Sequence, residues 1–190
     1  SLTSASLGLD KPMVNPQGGF VRDDDIYGCD TGNNRILQIR YENDSYSLVR
    51  YITEFKGDAQ PLTFAAPSDI YVGEDGMMYI ADTNNNRVVK LDQELNYQLS
   101  FIKPTDPTYD QSKSFLPSKL VADVSGRVFC LATNINMGLM KYEADGTFTG
   151  FIGAAPVKYT WYEIIWRTLS TKEQRAQQAS LVATEYDNIA

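Results

Sequence analysis

The chain has 190 residues, enough for one compact domain with its own core, and its 43% hydrophobic, 12% aromatic and 22% charged residues are those of a globular protein. A net charge of −7 argues against a nucleic-acid backbone as partner, and the absence of any histidine excludes a Ser-His-Asp triad, His-ligated zinc and a His general base. No apolar run is long enough to span a bilayer, and residues 1–10 have neither the basic start nor the apolar stretch of a signal peptide.

Three copies of one pattern follow in chain order. In the first, Asp23-Asp24-Asp25 forms a turn of solvated carboxylates rather than a cation site, since the spacing is not that of a calcium loop. Asp30-Thr31-Gly32-Asn33-Asn34-Arg35-Ile36 closes a second hairpin, and Asn43-Asp44-Ser45, a glycosylation sequon, marks a third. The second copy is the clearest. A strand over 68–72 leads into the turn Gly73-Glu74-Asp75-Gly76, and a strand over 77–82 into Thr83-Asn84-Asn85-Asn86, where asparagine tolerates the left-handed region. Strands over 87–91 and 97–101 complete it, rich in β-branched and aromatic residues. Asp30 and Asp82 are 52 residues apart, as are Arg35 and Arg87. The third copy starts at Pro117, 50 residues after Pro67, but has Ala132 for the aspartate and Met137 at the arginine position, with one extra residue in the turn.

Four short antiparallel strands per copy, recurring about every 50 residues, predict an all-β propeller of four-stranded blades. The blades are placed at 12–55, 64–102 and 115–152, a helical insertion at 155–182 and the start of a fourth blade at 185–190. In the insertion Tyr159, Tyr162, Trp166 and Leu169 share one helical face, leaving Trp161 and Ile165 off it. Ser170 and Glu173 form a capping box for a second helix. With strands a to d alternating in direction, the a–b and c–d turns fall on one face. The b–c turns and the long d–a connections fall on the other, where binding is expected. Cys29 and Cys130 read as buried small hydrophobes in the second strands of non-adjacent blades.

Pro67, Asp75-Gly76, Tyr79-Ile80-Ala81-Asp82-Thr83 and Asn86-Arg87-Val88 together resemble the NHL repeat, as does the Asp30 to Ile36 turn, and the resemblance covers about residues 15 to 152. It implies a six-bladed ring of roughly 300 residues, so either sequence is missing at both ends, the preferred reading, or several chains assemble. The Asp30–Arg35 and Asp82–Arg87 pairs are expected to be architectural, each joined bidentately across a hairpin. The joint loss of both partners in the third copy agrees, since an unpaired buried charge is costly. The repeats are most similar to NHL ectodomains of bacterial Yip-type membrane proteins. This implies a non-enzymatic binding or scaffold domain, extracellular or cell-surface and tethered through segments outside this chain. Its partner would be a protein, peptide or glycan on the b–c/d–a face, with Trp161, Ile165, Asn84, Asn85 and Asn134 as candidate contacts. No catalytic residue, metal, cofactor, nucleic acid or membrane insertion is expected. The alternative is part of a propeller lyase or lactonase whose active site lies in other blades, and a third class, the RNA-binding NHL propeller, fits poorly with the acidic balance.

Overall fold

A computed structural model describes residues 7–153. It contains twelve strands in three four-stranded antiparallel sheets, each a simple meander in chain order. The first sheet is β1 (Pro16–Arg22), β2 (Asp25–Asp30), β3 (Arg35–Glu42) and β4 (Ser45–Ile52). The second is β5 (Pro67–Val72), β6 (Met78–Asp82), β7 (Arg87–Leu91) and β8 (Tyr97–Ile102). The third is β9 (Pro117–Ala122), β10 (Val128–Ala132), β11 (Leu139–Tyr142) and β12 (Phe148–Ile152). The first strands β1, β5 and β9 pack against one another in succession, as the inner strands of neighbouring propeller blades do. The fold is that of three blades of a β-propeller. The predicted helical insertion, with Trp161 and Ile165, and the predicted start of a fourth blade lie outside the described residues.

Local chemistry explains the strand ends. Each inner strand opens on a proline, Pro16, Pro67 and Pro117, opposite Asp30, Asp82 and Ala132 respectively. Proline cannot donate to a ladder, so the first position of a strand is where it costs least. A register shift follows within one to three residues in every blade. The β3–β4 turn is made by Asn43 and Asp44, both with positive φ (51° and 58°), the twist a two-residue hairpin needs. Asn34 and Asn86 take the left-handed conformation that closes the β2–β3 and β6–β7 turns.

The core lies between blades. One cluster joins Tyr27, Cys29, Ile36 and Ile52 of blade 1 to Ile70, Val72, Met78, Ile80, Val89 and Leu91 of blade 2. Another joins Tyr79, Val88 and Phe101 of blade 2 to Leu120, Val128, Cys130, Met140 and Tyr142 of blade 3. Both cysteines are buried as the sequence implied, and burial raises both thiol pKa values. The connections contribute to these cores as well. Phe55 and Phe64 fill the first and Tyr109 and Phe115 the second, each almost fully buried. Fully burying one such side chain contributes about 1.5–3 kcal/mol, so these segments hold blades together besides linking them. The other side of blade 1 is covered in part by Leu7, which is buried with Leu37 and Ile39.

The inner strands approach closely enough to require glycine at one position. A Cβ on Gly18 would lie 2.0 Å from Asp69 Oδ1 and 2.6 Å from the Ser68 carbonyl oxygen, whereas at Gly28 it would meet nothing within 4 Å. Gly18→Ala is therefore expected to destabilise the fold by about 1–3 kcal/mol, and Gly28→Ala to stay within about 0.5 kcal/mol of the parent. Denaturant midpoints of the two variants provide the check.

Candidate functional site

The two Asp-Arg pairs anticipated from the sequence form, and their geometry differs from a bidentate fork. Arg35 donates Nε to Asp30 Oδ2 at 2.7 Å, and Arg87 donates Nε to Asp82 Oδ2 at 2.8 Å. The remaining guanidinium nitrogens reach the connection that precedes the blade. Arg35 donates to the Lys11 carbonyl and to Asp10, and Arg87 Nη2 donates to the Pro61 carbonyl at 2.6 Å. The other carboxylate oxygen accepts a backbone N–H of the same connection, from Val14 at 2.7 Å onto Asp30 and from Ala65 at 2.8 Å onto Asp82. Asn33 and Asn85 complete the set, each donating to its aspartate and to a connection carbonyl, Pro12 and Thr63. With two guanidinium nitrogens committed to the loop, the fork cannot also face the carboxylate.

The threonine beside each aspartate points to the next blade. Thr31 Oγ1 donates to the Pro67 carbonyl and Thr83 Oγ1 to the Pro117 carbonyl, both at 2.7 Å. Each Asp-Thr-x-Asn-Asn-Arg turn thus ties together three things: its own hairpin, the incoming connection and the following blade. In blade 3 the register sets Cys130 opposite Met140, which continues to Gly138, not Met137, opposite Ala132. The extra turn residue shifts the arginine position by one, and Met137 is 42% exposed.

Of the candidate contact residues, Asn84 is exposed and its side chain has no hydrogen-bond partner among the described residues. Asn85 is committed to the network just described. Asn134 donates to the Ser114 carbonyl at 2.8 Å, and its backbone carbonyl accepts from Lys113. The b–c turns do lie against the long connections, as the Asn84 to Ala65, Gly32 to Val14 and Thr133 to Leu116 backbone bonds show.

Two further arrangements were not legible in the sequence. The first is on the inner strands. Asp69 of β5 is 6% exposed, accepts the Leu120 N–H of β9 at 3.0 Å, lies against the bare Cα of Gly18 in β1 and has Lys119 Nζ 3.7 Å away. Burial raises its pKa to about 6, because the Leu120 and Ile70 backbone N–H groups and the Lys119 ammonium do not replace the lost water.

The second is a cleft of about 640 Å³ between blades 1 and 2, on the face that carries the a–b turns. Arg22, Asp23, Asp24 and Asp25 border it from blade 1, Gly73 and Glu74 from blade 2, and Gln93 and Glu94 from the β7–β8 turn. A polar chain crosses it. Arg40 holds Asp25 through two nitrogens at 2.7 and 2.8 Å, Gln38 donates to Asp25, Arg50 donates to Gln38 and, across the blade boundary, to the Gln93 carbonyl. The Arg40 hydrogen bond keeps the Asp25 carboxyl below the ordinary range. Asp25 is therefore a strand residue in an ion pair rather than a solvated turn carboxylate, because its position opens β2 directly opposite Arg40. Among the described residues no three His, Cys, Asp or Glu side chains are grouped to hold a metal ion, and no helix is long and apolar enough to cross a membrane.

No family model matches the chain. NHL repeat-containing protein 3 of the mouse is 33% identical over 88 residues, which is 45% of this chain and 24% of that protein. Among solved structures, virginiamycin B lyase from Staphylococcus aureus superposes with a TM-score of 0.52 at 20% identity, over 78% of this chain and 44% of the lyase. A functionally unknown protein from Desulfotomaculum acetoxidans gives 0.52 at 17% identity, over 74% and 43%. The chain spans about a quarter of the curated relative and less than half of the solved propellers. The repeats are NHL-type and the fold is a β-propeller; the finer resemblance to Yip-type membrane proteins has no support from these relatives.

Two predictions follow from the networks. Asp82→Ala leaves the Arg87 side chain, 6% exposed, without its carboxylate and is expected to cost about 3–5 kcal/mol. Adding Arg87→Met should return part of that loss, as a double-mutant cycle of unfolding free energies would record. For Asp69 the folded-state pKa of about 6 lies above its ordinary 3.8, so the folded protein binds the extra proton and its stability falls as pH rises between those values. Asp69→Asn removes that loss, of about 3 kcal/mol, and should stabilise the chain more at pH 7 than at pH 4 in paired denaturant titrations.

Proposed function

We propose that this NHL-type propeller works as a non-enzymatic binding module, a rigid scaffold that presents loops and an inter-blade cleft to a protein, peptide or glycan. The observation that carries the reading is the state of the ionisable groups in the repeat motif. Asp30, Arg35, Asp82 and Arg87 are buried and bonded to the chain's own connections, which suits holding a surface still and leaves none of them to attack or protonate a substrate. Asn84, exposed on the b–c face, and the polar cleft are the places where a partner would be met. A location outside the cell, tethered through other segments, rests on the resemblance to NHL ectodomains alone.

The second reading, part of a propeller lyase or lactonase, has one observation in its favour. Asp69 is a buried carboxylate on an inner strand with a pKa near neutrality, the property of a general acid or base. One oxygen is ion-paired with Lys119 and the other accepts the Leu120 N–H, which suits packing better than proton transfer.

Thermal unfolding of the 190-residue chain against panels of peptides, glycans, lactones and cyclic depsipeptides separates the readings. The binding reading expects at least one peptide or glycan to raise Tm and to be recovered chemically unchanged. Asn84→Ala, which should alter stability by less than about 0.5 kcal/mol, serves to locate the contact. Ring-opened or cleaved product, lost in Asp69→Asn, would overturn the binding reading in favour of the enzyme.

A further inference from the structure

The repeat places equivalent residues at the boundary between blades 1 and 2, where the cleft lies, and at the boundary between blades 2 and 3. Tyr79 occupies in blade 2 the register position of Tyr27 in blade 1, and Lys90 that of Gln38. At the second boundary the a–b turn of blade 3 packs against these residues. A Cβ on Gly126, in the a–b turn of blade 3, would meet the Ala144 side chain at 3.3 Å, the Tyr79 hydroxyl at 3.5 Å and Lys90 Nζ at 3.8 Å, while Lys90 lies over the Tyr79 ring at 5.3 Å. At the first boundary the corresponding lysine is the shorter Gln38, which is turned toward Asp25 and Arg50.

Tyr27 sits on the floor of the opening. Its ring belongs to the core between blades 1 and 2 and the residue is only 7% exposed, yet its hydroxyl has no hydrogen-bond partner among the described residues. The oxygen is the part of the residue that keeps exposed surface, at the lining of the cleft, where a ligand can take up its hydrogen bond. The charges around it are unevenly spent. Five carboxylates and three guanidiniums border the cleft. Arg40 is neutralised by Asp25, and Arg22 and Arg50 are occupied by the Val72 and Gln93 carbonyls and by Gln38. Asp23, Asp24, Glu74 and Glu94, by contrast, have no side-chain hydrogen bond or ion pair among the described residues. A cleft of this volume is far larger than one ammonium group and suits a ligand of several residues.

We propose that the blade 1–blade 2 cleft binds an extended peptide through an arginine or lysine side chain, its cationic head among Asp23, Asp24, Glu74 and Glu94 and hydrogen-bonded to the Tyr27 hydroxyl. The fixed chain of Asp25, Gln38 and Arg50 forms the wall against which the peptide backbone lies, with spare guanidinium N–H groups of Arg50 and Arg22 available to its carbonyls. This inference deepens the binding reading above and rests on it.

The probe is the acetylated and amidated peptide Gly-Gly-Arg-Gly-Gly, titrated into the 190-residue chain by calorimetry, with Gly-Gly-Glu-Gly-Gly as the opposite-charge control. Saturable binding of the arginine peptide and none of the glutamate peptide is expected, weakening as salt is raised. Tyr27→Phe should weaken it by about five-fold through loss of one hydrogen bond, and Glu74→Gln combined with Glu94→Gln by at least as much. The carboxylate variants are surface changes that leave folding intact, so they keep the test valid even if Tyr27→Phe unsettles the core. Absence of saturable binding, equal binding of the two peptides, or variants that bind like the parent would each overturn the proposal. If the arginine peptide fails while another peptide or glycan still raises Tm, the cleft assignment falls and the binding reading stands. If a substrate is turned over instead, the binding reading falls, whatever the calorimetry gives.

Discussion

A buried carboxylate at the end of each second strand is the constraint on which the first two blades depend. Asp30 and Asp82 have side chains with no exposed surface, so every lone pair must be met from within the protein. The partners that meet them come from three directions: an arginine across the hairpin, an asparagine in the turn and a backbone N–H from the segment that leads into the blade. Because the connection is bonded to the turn, it is held at one depth over the hairpin. Its aromatic residues Phe55 and Phe64 can then settle between blades 1 and 2, where they are almost completely buried. The threonine of the same turn fixes the next inner strand by its proline carbonyl. Local charge pairing and inter-blade packing are thus one arrangement rather than two.

Blade 3 shows what happens when the pair is absent. Ala132 is buried without needing a partner, and the connection before it is secured differently: Tyr109 donates its hydroxyl to the Ser114 carbonyl, Asn134 donates to the same carbonyl, and Lys113 reaches the carbonyl of Asn134. The apolar plug persists, now as Tyr109 and Phe115. What the repeat preserves is therefore a loop anchored over a hairpin with an aromatic residue beneath it. A continuous series of rings, Phe20–Tyr71, Tyr71–Tyr79, Tyr79–Phe101 and Phe101–Tyr142, with centroids 4.8 to 6.3 Å apart, carries that packing through all three blades.

The two boundaries between blades also differ in what they expose. Between blades 2 and 3 Lys90 lies over the Tyr79 ring. Between blades 1 and 2 a glutamine in the same register position bonds sideways to Asp25 and Arg50, and a polar cleft remains. The side chains at equivalent register positions thus differ in length and charge from one boundary to the next.

The sequence by itself determined the blade. Strand alternation, the 52-residue spacing of Asp30 and Asp82, and the Gly-rich and Asn-rich turns are local patterns with a period set by backbone geometry, so they can be read one segment at a time. It also marked Asp30, Arg35, Asp82 and Arg87 as structural, since their joint loss in the third copy is visible without coordinates. Only the tertiary structure decided what those side chains touch: the second carboxylate oxygen and the arginine termini go to connections whose sequences do not repeat. It alone brought Asp69 against Gly18 and the Leu120 N–H, residues about 50 positions apart with no shared motif. It alone opened the cleft around Tyr27, because that opening depends on how two blades pack face to face, a relation between distant segments that no local period encodes.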